Sequence, residues 1–239
     1  MNIFVTATDT DVGKTVVTAG LAAIMQSLGY KVGVLKPLQS GALSQGNFLI
    51  SPDLAFVKKV DPYVTTHASY ILKAPTAPYI AAELEDTVID VDLIVKDYSL
   101  MNQKCDTVIV EGSGGLLVPV APNLLMTEIP KRLNLPVVIV ARPDLGTINH
   151  TLLTINQALT SGLKVAGVII NRYPEGTDDV AIKTAPRLIE EYSDAKILGI
   201  IKDFDTTKIK PSVLIDAMLN SVDLEKIFNI KIPKLDLGF

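Results

Sequence analysis

The chain has 239 residues, of which 48% are hydrophobic and 20% charged, a balance typical of a globular protein. Its formal net charge is −4 and its lysines and arginines are scattered, which argues against a protein that binds nucleic acid through the phosphate backbone. A single cysteine excludes an intrachain disulfide, and two well-separated histidines argue against a histidine metal site. We expect a cytoplasmic protein, because no signal peptide and no apolar run of membrane-spanning length is evident.

Short apolar runs rich in valine and isoleucine alternate with longer segments whose apolar residues recur at helical spacing. The short runs predict strands at residues 3–5, 31–37, 107–112, 136–141, 165–171 and 196–201. The longer segments predict helices at residues 15–28, 90–104, 147–161, 178–192 and 212–220. Near-continuous Val/Ile strands indicate burial on both faces, so the alternation predicts an α/β fold with a doubly wound, mainly parallel sheet and helices on both faces.

The segment 41–90 is less regular and rich in proline, and we expect it to leave the sheet without forming a second domain. Pro37 is expected to end the second strand, since proline cannot donate a ladder hydrogen bond. No internal repeat or linker interrupts the chain, so residues 1–239 are expected to form one domain. Open parallel sheets bind ligands at the carboxyl ends of their strands, which directs attention to the residues that follow each strand.

The first strand is followed by a segment that ends like a phosphate-binding loop and begins unlike one. The usual pattern, G-x-x-x-x-G-K-[ST], is met at its end by Gly13, Lys14 and Thr15, but its first glycine would fall on Thr8. Because these residues join a buried strand to a helix, we expect a loop whose backbone N–H groups hold phosphates. Lys14 would reach the outer phosphates and Thr15 would ligate Mg²⁺. The alternative is a chance Gly-Lys-Thr at a strand–helix junction.

Charged residues end the second and third predicted strands. Lys36 is expected to face the same crevice as Lys14, where two cations could neutralise a phosphoryl group in transfer. Glu111 ends a buried strand before a glycine cluster, and a carboxylate there is placed as a Mg²⁺ ligand. The alternatives are a solvated lysine before a turn and a solvated acid within one.

Five segments, taken in order, resemble motifs of the dethiobiotin synthetase family over nearly the whole chain. The family's first motif, T-G-T-D-T-x-V-G-K-T, has one residue more between its glycines than the usual phosphate loop, and Ala7 replaces the first glycine. In the fourth motif, V-E-G-A-G-G, Ser113 replaces alanine. The segments are residues 6–15, 36–41 (K-P-x-x-S-G), 75–78 (P-T-x-P), 110–115 and 145–150 (L-G-x-I-N-H).

This resemblance implies a single ATP-binding synthetase domain that joins 7,8-diaminononanoate and CO₂, or bicarbonate, into dethiobiotin. The reaction would use ATP and Mg²⁺ and pass through a carbamate and a carbamic–phosphoric anhydride, giving ADP and phosphate. The resemblance also implies a homodimer that binds its substrate across the interface, to which the segment 145–151 would contribute.

Individual residues receive roles from the same family match. Those implied as catalytic are Thr10, Lys14 and Lys36, with Lys36 and Ser40 facing the substrate. The implied metal ligands are Thr15, Asp53 and Glu111. The residues implied in binding the nucleotide and its metal are Asp11, Val12, Gly13, Lys14, Thr15, Val16, Asp53, Glu111, Gly112, Ser113, Gly114, Asn171, Arg172 and Ile201.

One departure from the family concerns the base of the nucleotide. The family has a proline after the last strand, where this chain has Lys202, so we expect weaker discrimination in favour of adenine. Asn171 would then be the main reader of the base edge through its amide. Ile200 and Ile201 are expected to form apolar walls.

Three other functions are compatible with a phosphate-loop fold. A partition-type regulatory ATPase typically carries an extra lysine near the start of the loop, which residues 7–9 lack. Another phosphate-loop synthetase, of the cobyrinate type, would append a glutaminase domain for which 239 residues leave no room. A degenerate binding module is disfavoured by the presence of Lys14, Lys36 and Glu111.

Overall fold

The computed structural model describes residues 2–208 and 210–232. Its strands are β1 (Ile3–Ala7), β2 (Val32–Gln39), β3 (Leu43–Gln45), β4 (Phe48–Ile50), β5 (Thr65–Ile71), β6 (Thr107–Glu111), β7 (Pro119–Ala121), β8 (Leu124–Leu125), β9 (Val137–Ala141), β10 (Val165–Tyr173) and β11 (Ile197–Lys202). Its helices are α1 (Lys14–Ser27), α2 (Pro52–Val60), α3 (Pro78–Glu83), α4 (Val91–Asn102), α5 (Glu128–Leu133), α6 (Thr147–Thr160), α7 (Val180–Glu191), α8 (Pro211–Leu219) and α9 (Leu224–Phe228).

Seven strands form one parallel sheet in the order β11-β10-β9-β1-β6-β2-β5. The other four form two short antiparallel hairpins, β3–β4 and β7–β8. All six predicted strands lie in the large sheet. Every residue of the central strands β1, β6 and β9 is buried, as their Val/Ile runs predict for strands covered on both faces.

Alternate residues of β1 identify the two faces of the sheet. Ile3 and Val5 pack in a cluster that includes side chains of α1, α2 and α8, whereas Phe4 packs in a second cluster with α4 and α5. A third cluster unites α6 and α7 with β9 and β10. Helices therefore cover both faces, and the predicted doubly wound α/β fold is confirmed.

The prediction that the segment 41–90 leaves the sheet is wrong for β5. This strand lies at the edge of the sheet and pairs with β2, from Gly33 opposite Thr65 to Gln39 opposite Ile71. Its residues are exposed or only partly buried. An edge strand with a solvated side does not need the continuous Val/Ile run that marks a central strand, so its sequence, TTHASYI, gives little signal.

The prediction that Pro37 ends the second strand is also wrong, because β2 continues to Gln39. The pairing of β2 with β6 reaches Leu35, and beyond it β2 pairs with β5 alone. Lys36 and Leu38 pair with β5 on either side of the proline. Proline is tolerated where a strand has lost one neighbour, since fewer ladder hydrogen bonds depend on it.

None of the helices within 2–208 and 210–232 combines the length and the apolar character needed to cross a membrane.

Candidate active site

A cleft of about 850 Å³ opens at the carboxyl ends of β1, β6 and β2, where a parallel sheet is expected to bind its ligand. β6 lies between β1 and β2, so Lys14 and Lys36 approach the cleft from either side of Glu111. The segment 75–78 forms part of the wall. The predicted site residues that line the cleft are Thr10, Asp11, Gly13, Lys14, Thr15, Val16, Lys36, Ser40, Asp53, Glu111, Ser113, Gly114 and Arg172.

The phosphate loop, residues 8–13, joins β1 to α1. Asp11 and Gly13 adopt left-handed backbone conformations, with φ of 58° and 96°. Gly13 is the N-cap of α1 and supplies no side-chain cap, so N–H groups of the first turn remain available to an anion. Ala7 belongs to β1 and has no positive φ, so the alanine that replaces the family's glycine carries no backbone strain.

Lys36, Asp53 and Glu111 form a buried group of charges, called here the lysine–carboxylate cluster. The Lys36 Nζ atom lies 2.6 Å from Asp53 Oδ2 and 2.9 Å from Glu111 Oε1, and it donates to the carbonyl oxygen of Gly112 at 3.0 Å. The Thr15 hydroxyl donates to Glu111 Oε1 at 2.9 Å. The side chains of Lys36 and Glu111 are 3% and 2% exposed, whereas that of Asp53 is 26% exposed and opens to the cleft.

Asp53 reaches this cluster from the first turn of α2. Ser51 caps the helix by accepting a hydrogen bond from the Leu54 N–H, and its hydroxyl donates to Gln39 at the end of β2. This link fixes the start of α2 against the strand that carries Lys36. The N-terminal end of a helix also favours a carboxylate electrostatically.

The charges of the lysine–carboxylate cluster stabilise one another. Burial opposes ionisation of Asp53, but the neighbouring Lys36 ammonium outweighs it, and the pKa of Asp53 lies below its usual range. Burial likewise opposes a charge on Lys36, but the carboxylates of Glu111 and Asp53 outweigh it and raise the pKa of Lys36. Lys36 is therefore an ammonium at neutral pH.

Lys14 is a second buried cation of the cleft. Its Nζ donates to the backbone oxygen of Asp9 at 3.2 Å, a contact with a neutral acceptor. Burial, reinforced by the charge of Lys36, lowers the pKa of Lys14 to about 8. Lys14 is thus mostly charged at pH 7, and because its hydrogen bond goes to a neutral oxygen it is suited to an anionic ligand.

Thr15, Asp53 and Glu111 direct a hydroxyl and two carboxylates to one side of the cleft. Mg²⁺ prefers oxygen ligands and usually combines one or two carboxylates with water and phosphate oxygens, so this donor set suits it. Within the described residues, no group of three or more His, Cys, Asp and Glu side chains is arranged to hold a metal ion. The set therefore fits a metal shared with a polyphosphate rather than a closed structural site.

Ser113 and Gly114 shape the loop that follows β6. Ser113 stands where the family has alanine. Its hydroxyl donates to the carbonyl oxygen of Leu38 and links this loop to the end of β2. Gly114 has a φ of 66°, and a Cβ at this position would collide with the side chain of Val118. A larger residue at Gly114 would therefore disturb the wall of the cleft.

Asn171 lies beneath the phosphate loop rather than on the wall of the cleft. It is 2% exposed, and its Nδ2 atom donates to the carbonyl oxygen of Val12 at 2.9 Å. A Cβ at Gly13 would collide with the same Nδ2 atom. The end of β10 and the phosphate loop are therefore packed directly on each other.

Ile200 and Ile201 point to opposite faces of the sheet, as consecutive strand residues do. Ile201 is fully buried in the cluster formed with α1 and α8, and Ile200 packs with the cluster of α6 and α7. The expectation that both form walls around one base is therefore wrong. The side chain of Ile201 is core, and only its main chain is left to meet a nucleotide.

Arg172 and Lys202 lie at the ends of adjacent strands but differ in their surroundings. Arg172 is exposed, has a φ of 57° and lines the cleft. Lys202 lies 3.8 Å from a carboxylate oxygen of Glu175, and its Nζ is 5.7 Å from the centre of the Phe204 ring. Arg172 is thus the cation that the end of β10 presents to the cleft.

Several wall residues were not singled out by the sequence analysis: Gln39, Pro52, Phe56, Val118 and Thr206. Gln39 falls within the K-P-x-x-S-G segment, and Pro52 precedes Asp53. Phe56 follows Asp53 by three residues, so helical spacing would have indicated it once α2 was recognised. Val118 and Thr206 lie in loops, where no sequence pattern marks them.

The fold is shared with a solved structure of low sequence identity. The MinD cell division ATPase of Pyrococcus furiosus superposes with a TM-score of 0.62 at 17% identity, covering 96% of this chain and 99% of that one. At this identity the similarity shows the phosphate-loop NTPase fold alone.

Sequence comparisons are more specific. A family model described as an AAA domain matches residues 1–208. The ATP-dependent dethiobiotin synthetase BioD of Bacillus subtilis subsp. natto is 40% identical over 200 residues, 82% of this chain and 85% of that protein. The enzyme of the same name from Bacillus licheniformis is 36% identical over 231 residues, 95% of each chain. The resemblance seen in the five segments is thus confirmed, and the chain belongs to the family of ATP-dependent dethiobiotin synthetases.

Proposed function

We propose that the chain closes the cyclic urea of dethiobiotin from 7,8-diaminononanoate and CO₂, with ATP as co-substrate and Mg²⁺ as its metal. The observation that carries this proposal is the meeting of Lys14 with the lysine–carboxylate cluster in one cleft beside a phosphate loop. Such a cleft suits a polyphosphate and the charge of a phosphoryl group in transfer. Membership of the family supports the class of enzyme.

The nucleotide end of the cleft is assigned to the phosphate loop and the residues around it. Backbone N–H groups from Asp11 to Val16 would hold phosphate oxygens, with the main chain of 112–114 opposite them. Lys14 would neutralise the outer phosphates. Mg²⁺, when bound by Thr15, Asp53 and Glu111, would neutralise and orient the phosphates during transfer.

The substrate end is assigned to Thr10, Lys36 and Ser40, which line the same cleft. One amine attacks CO₂ and loses a proton, giving a carbamate. A carbamate oxygen then takes the γ-phosphoryl group from ATP, and ADP leaves. The second amine attacks the carbonyl carbon, loses a proton and displaces phosphate. Lys14 and Lys36 favour the neutral amines by lowering the pKa of the substrate's ammonium groups, because like charges repel.

The base of ATP is proposed to lie toward Arg172 and Thr206, at the end of the cleft next to β10. Asn171 and Ile201 are close in sequence to this end but buried, so their contribution would come through packing and main chain. The side chain of Lys202 lies beside Glu175 and Phe204, so it is not free to contact the base. This arrangement supports the proposal that the enzyme selects only weakly for adenine.

We further propose a single-domain enzyme that works as a homodimer in the cytoplasm. Leu145 and Leu153 support the dimer, because they are 84% and 59% exposed beside the start and on the surface of α6. Large exposed apolar side chains beside and on one helix suit an interface. They lie in or near the segment that the family resemblance assigns to the interface.

Product analysis tests the proposal. Mass spectrometry should detect dethiobiotin when the protein is incubated with diaminononanoate, bicarbonate, ATP and Mg²⁺, and not when any one of them is omitted. Lys58→Met, on the exposed side of α2, is a matched control for active-site lysine variants. ATP consumption without dethiobiotin would favour a regulatory ATPase or another phosphate-loop synthetase.

A further inference from the structure

We infer that Lys36 is the counter-ion that occupies the two carboxylates when no metal is bound, and that a divalent cation displaces it. Metal binding would then release the Lys36 ammonium toward the reacting groups. This inference deepens the proposed function, on which it rests for the identity of the metal ligands.

The hydrogen bonds of Lys36 all stay within the protein. An ammonium has three N–H donors. The three acceptors of Lys36 are Asp53 Oδ2 at 2.6 Å, Glu111 Oε1 at 2.9 Å and the Gly112 carbonyl oxygen at 3.0 Å. All of its donors are thus used within the protein. Lys36 cannot donate to a carbamate or a phosphoryl group without giving up at least one of these contacts.

Lys36 uses the same carboxylate groups that the proposed metal would need. Glu111 Oε1 accepts from both Lys36 and Thr15, which makes it the centre of the proposed metal site. Mg²⁺ would bind such oxygens at about 2.0–2.1 Å. A divalent cation and an ammonium on the same two carboxylates would lie within a few ångströms of each other in a poorly solvated site. Their repulsion is strong there, so the two cations exclude each other.

The net charge of the cleft determines when a divalent cation can displace Lys36. Lys36 leaves the two carboxylates with one net negative charge, and Lys14 lies nearby to cancel it. Adding a divalent cation without an anion would make the cleft strongly positive. A polyphosphate supplies the missing negative charge, so metal and nucleotide should enter together and Lys36 should move only then.

Metal binding without turnover is the most direct test. Mg²⁺ is titrated into nucleotide-free protein by calorimetry, and thermal unfolding is followed with and without Mg²⁺. The wild type should bind Mg²⁺ weakly. Lys36→Met should bind it roughly tenfold or more tightly and gain a larger rise in Tm, because the two carboxylates have lost their counter-ion.

Lys14→Met is the matched control, because it also removes a cation from the cleft. The Lys14 ammonium donates to the backbone oxygen of Asp9 and not to the two carboxylates. Its gain in Mg²⁺ affinity should be smaller than that of Lys36→Met. Equal gains in the two variants, or no gain in Lys36→Met, would overturn the inference.

A measurement on the wild type covers the case in which Lys36→Met does not fold. The ¹⁵N resonance of the buried Lys36 ammonium should shift when ADP and Mg²⁺ are added together, and stay in place with ADP and EDTA. If the Lys36 ¹⁵N resonance does not shift when Mg²⁺ is added with ADP, the displacement of Lys36 by the metal is refuted. Neither experiment uses diaminononanoate, so a protein that made no dethiobiotin would refute the proposed function while leaving this test intact.

Discussion

Lys36 is a buried cation whose cost in solvation is offset by two carboxylates that are themselves buried or half-buried. Buried ion pairs are often no more stabilising than apolar residues of similar volume, so stability alone gives little reason for this cluster. The position of the cluster in the cleft gives a better one, since the same charges can serve a metal and a phosphoryl group.

Replacing Lys36 by alanine should lower the rate of dethiobiotin formation by about 10²–10³-fold, which is typical of losing one charge that stabilises a transition state. The affinity for ADP should change much less, because Lys14 and the phosphate loop remain. Steady-state kinetics and calorimetry with ADP measure the two effects. If the Lys36→Ala variant turned over as fast as the wild type and Lys58→Met, Lys36 would have a structural role and no catalytic one.

Replacing Glu111 by glutamine or Asp53 by asparagine should raise the Mg²⁺ concentration needed for half-maximal activity, because each change removes one anionic ligand. The measurement is activity against Mg²⁺ concentration at fixed ATP. Asp61→Asn, at the partly buried C-terminal end of α2 and outside the cleft, is the matched control. If the variants and the control gave the same Mg²⁺ curve as the wild type, the assignment of these ligands would be wrong.

Among the elements, β10 contacts the phosphate loop, and sequence patterns did not indicate this contact. Asn171→Ala should weaken binding of ATP, GTP and CTP alike, by roughly tenfold, because it removes a buried hydrogen bond that holds the Val12 carbonyl. Binding of the three nucleotides by calorimetry checks this, with Asn220→Ala, at an exposed residue outside the cleft, as the control. A loss confined to ATP would show that Asn171 reads the base instead.

The elements show why some features could be predicted from the sequence. Buried Val/Ile strands are recognisable by composition. Lys14, Lys36 and Glu111 lie at or near the carboxyl ends of such strands and follow from the rule that ligands bind there. The rule does not indicate Asp53, because this residue lies in the first turn of a helix that follows a hairpin. Only the family resemblance indicated it.

Other features depend on backbone geometry that residue patterns do not carry. β5 is an edge strand with polar residues, so its sequence resembles a loop. The register shift near the end of β10 and the positive φ of Arg172 separate a buried Asn171 from an exposed Arg172. Nothing in the letters Asn-Arg indicates which of the two side chains faces the cleft.

At the scale of the whole molecule, the exposed leucines beside and on α6 are expected to be covered in a dimer. Leu153→Asp, alone or with Leu145→Asp, should convert a dimer to a monomer, because a carboxylate buried at an apolar interface is strongly unfavourable. Light scattering after size-exclusion chromatography measures the mass. Leu84→Asp, at a leucine that is 68% exposed elsewhere, is the control. A wild type that is monomeric at working concentrations would contradict the proposed dimer.

If ATP cleavage is coupled to ring closure, ADP release must depend on every substrate of the proposed reaction, and it can be measured with each one omitted in turn. We expect ADP release only when diaminononanoate, bicarbonate and Mg²⁺ are all present with ATP, at one ADP for each dethiobiotin formed. Release of ADP at the full rate without diaminononanoate or without bicarbonate would contradict it.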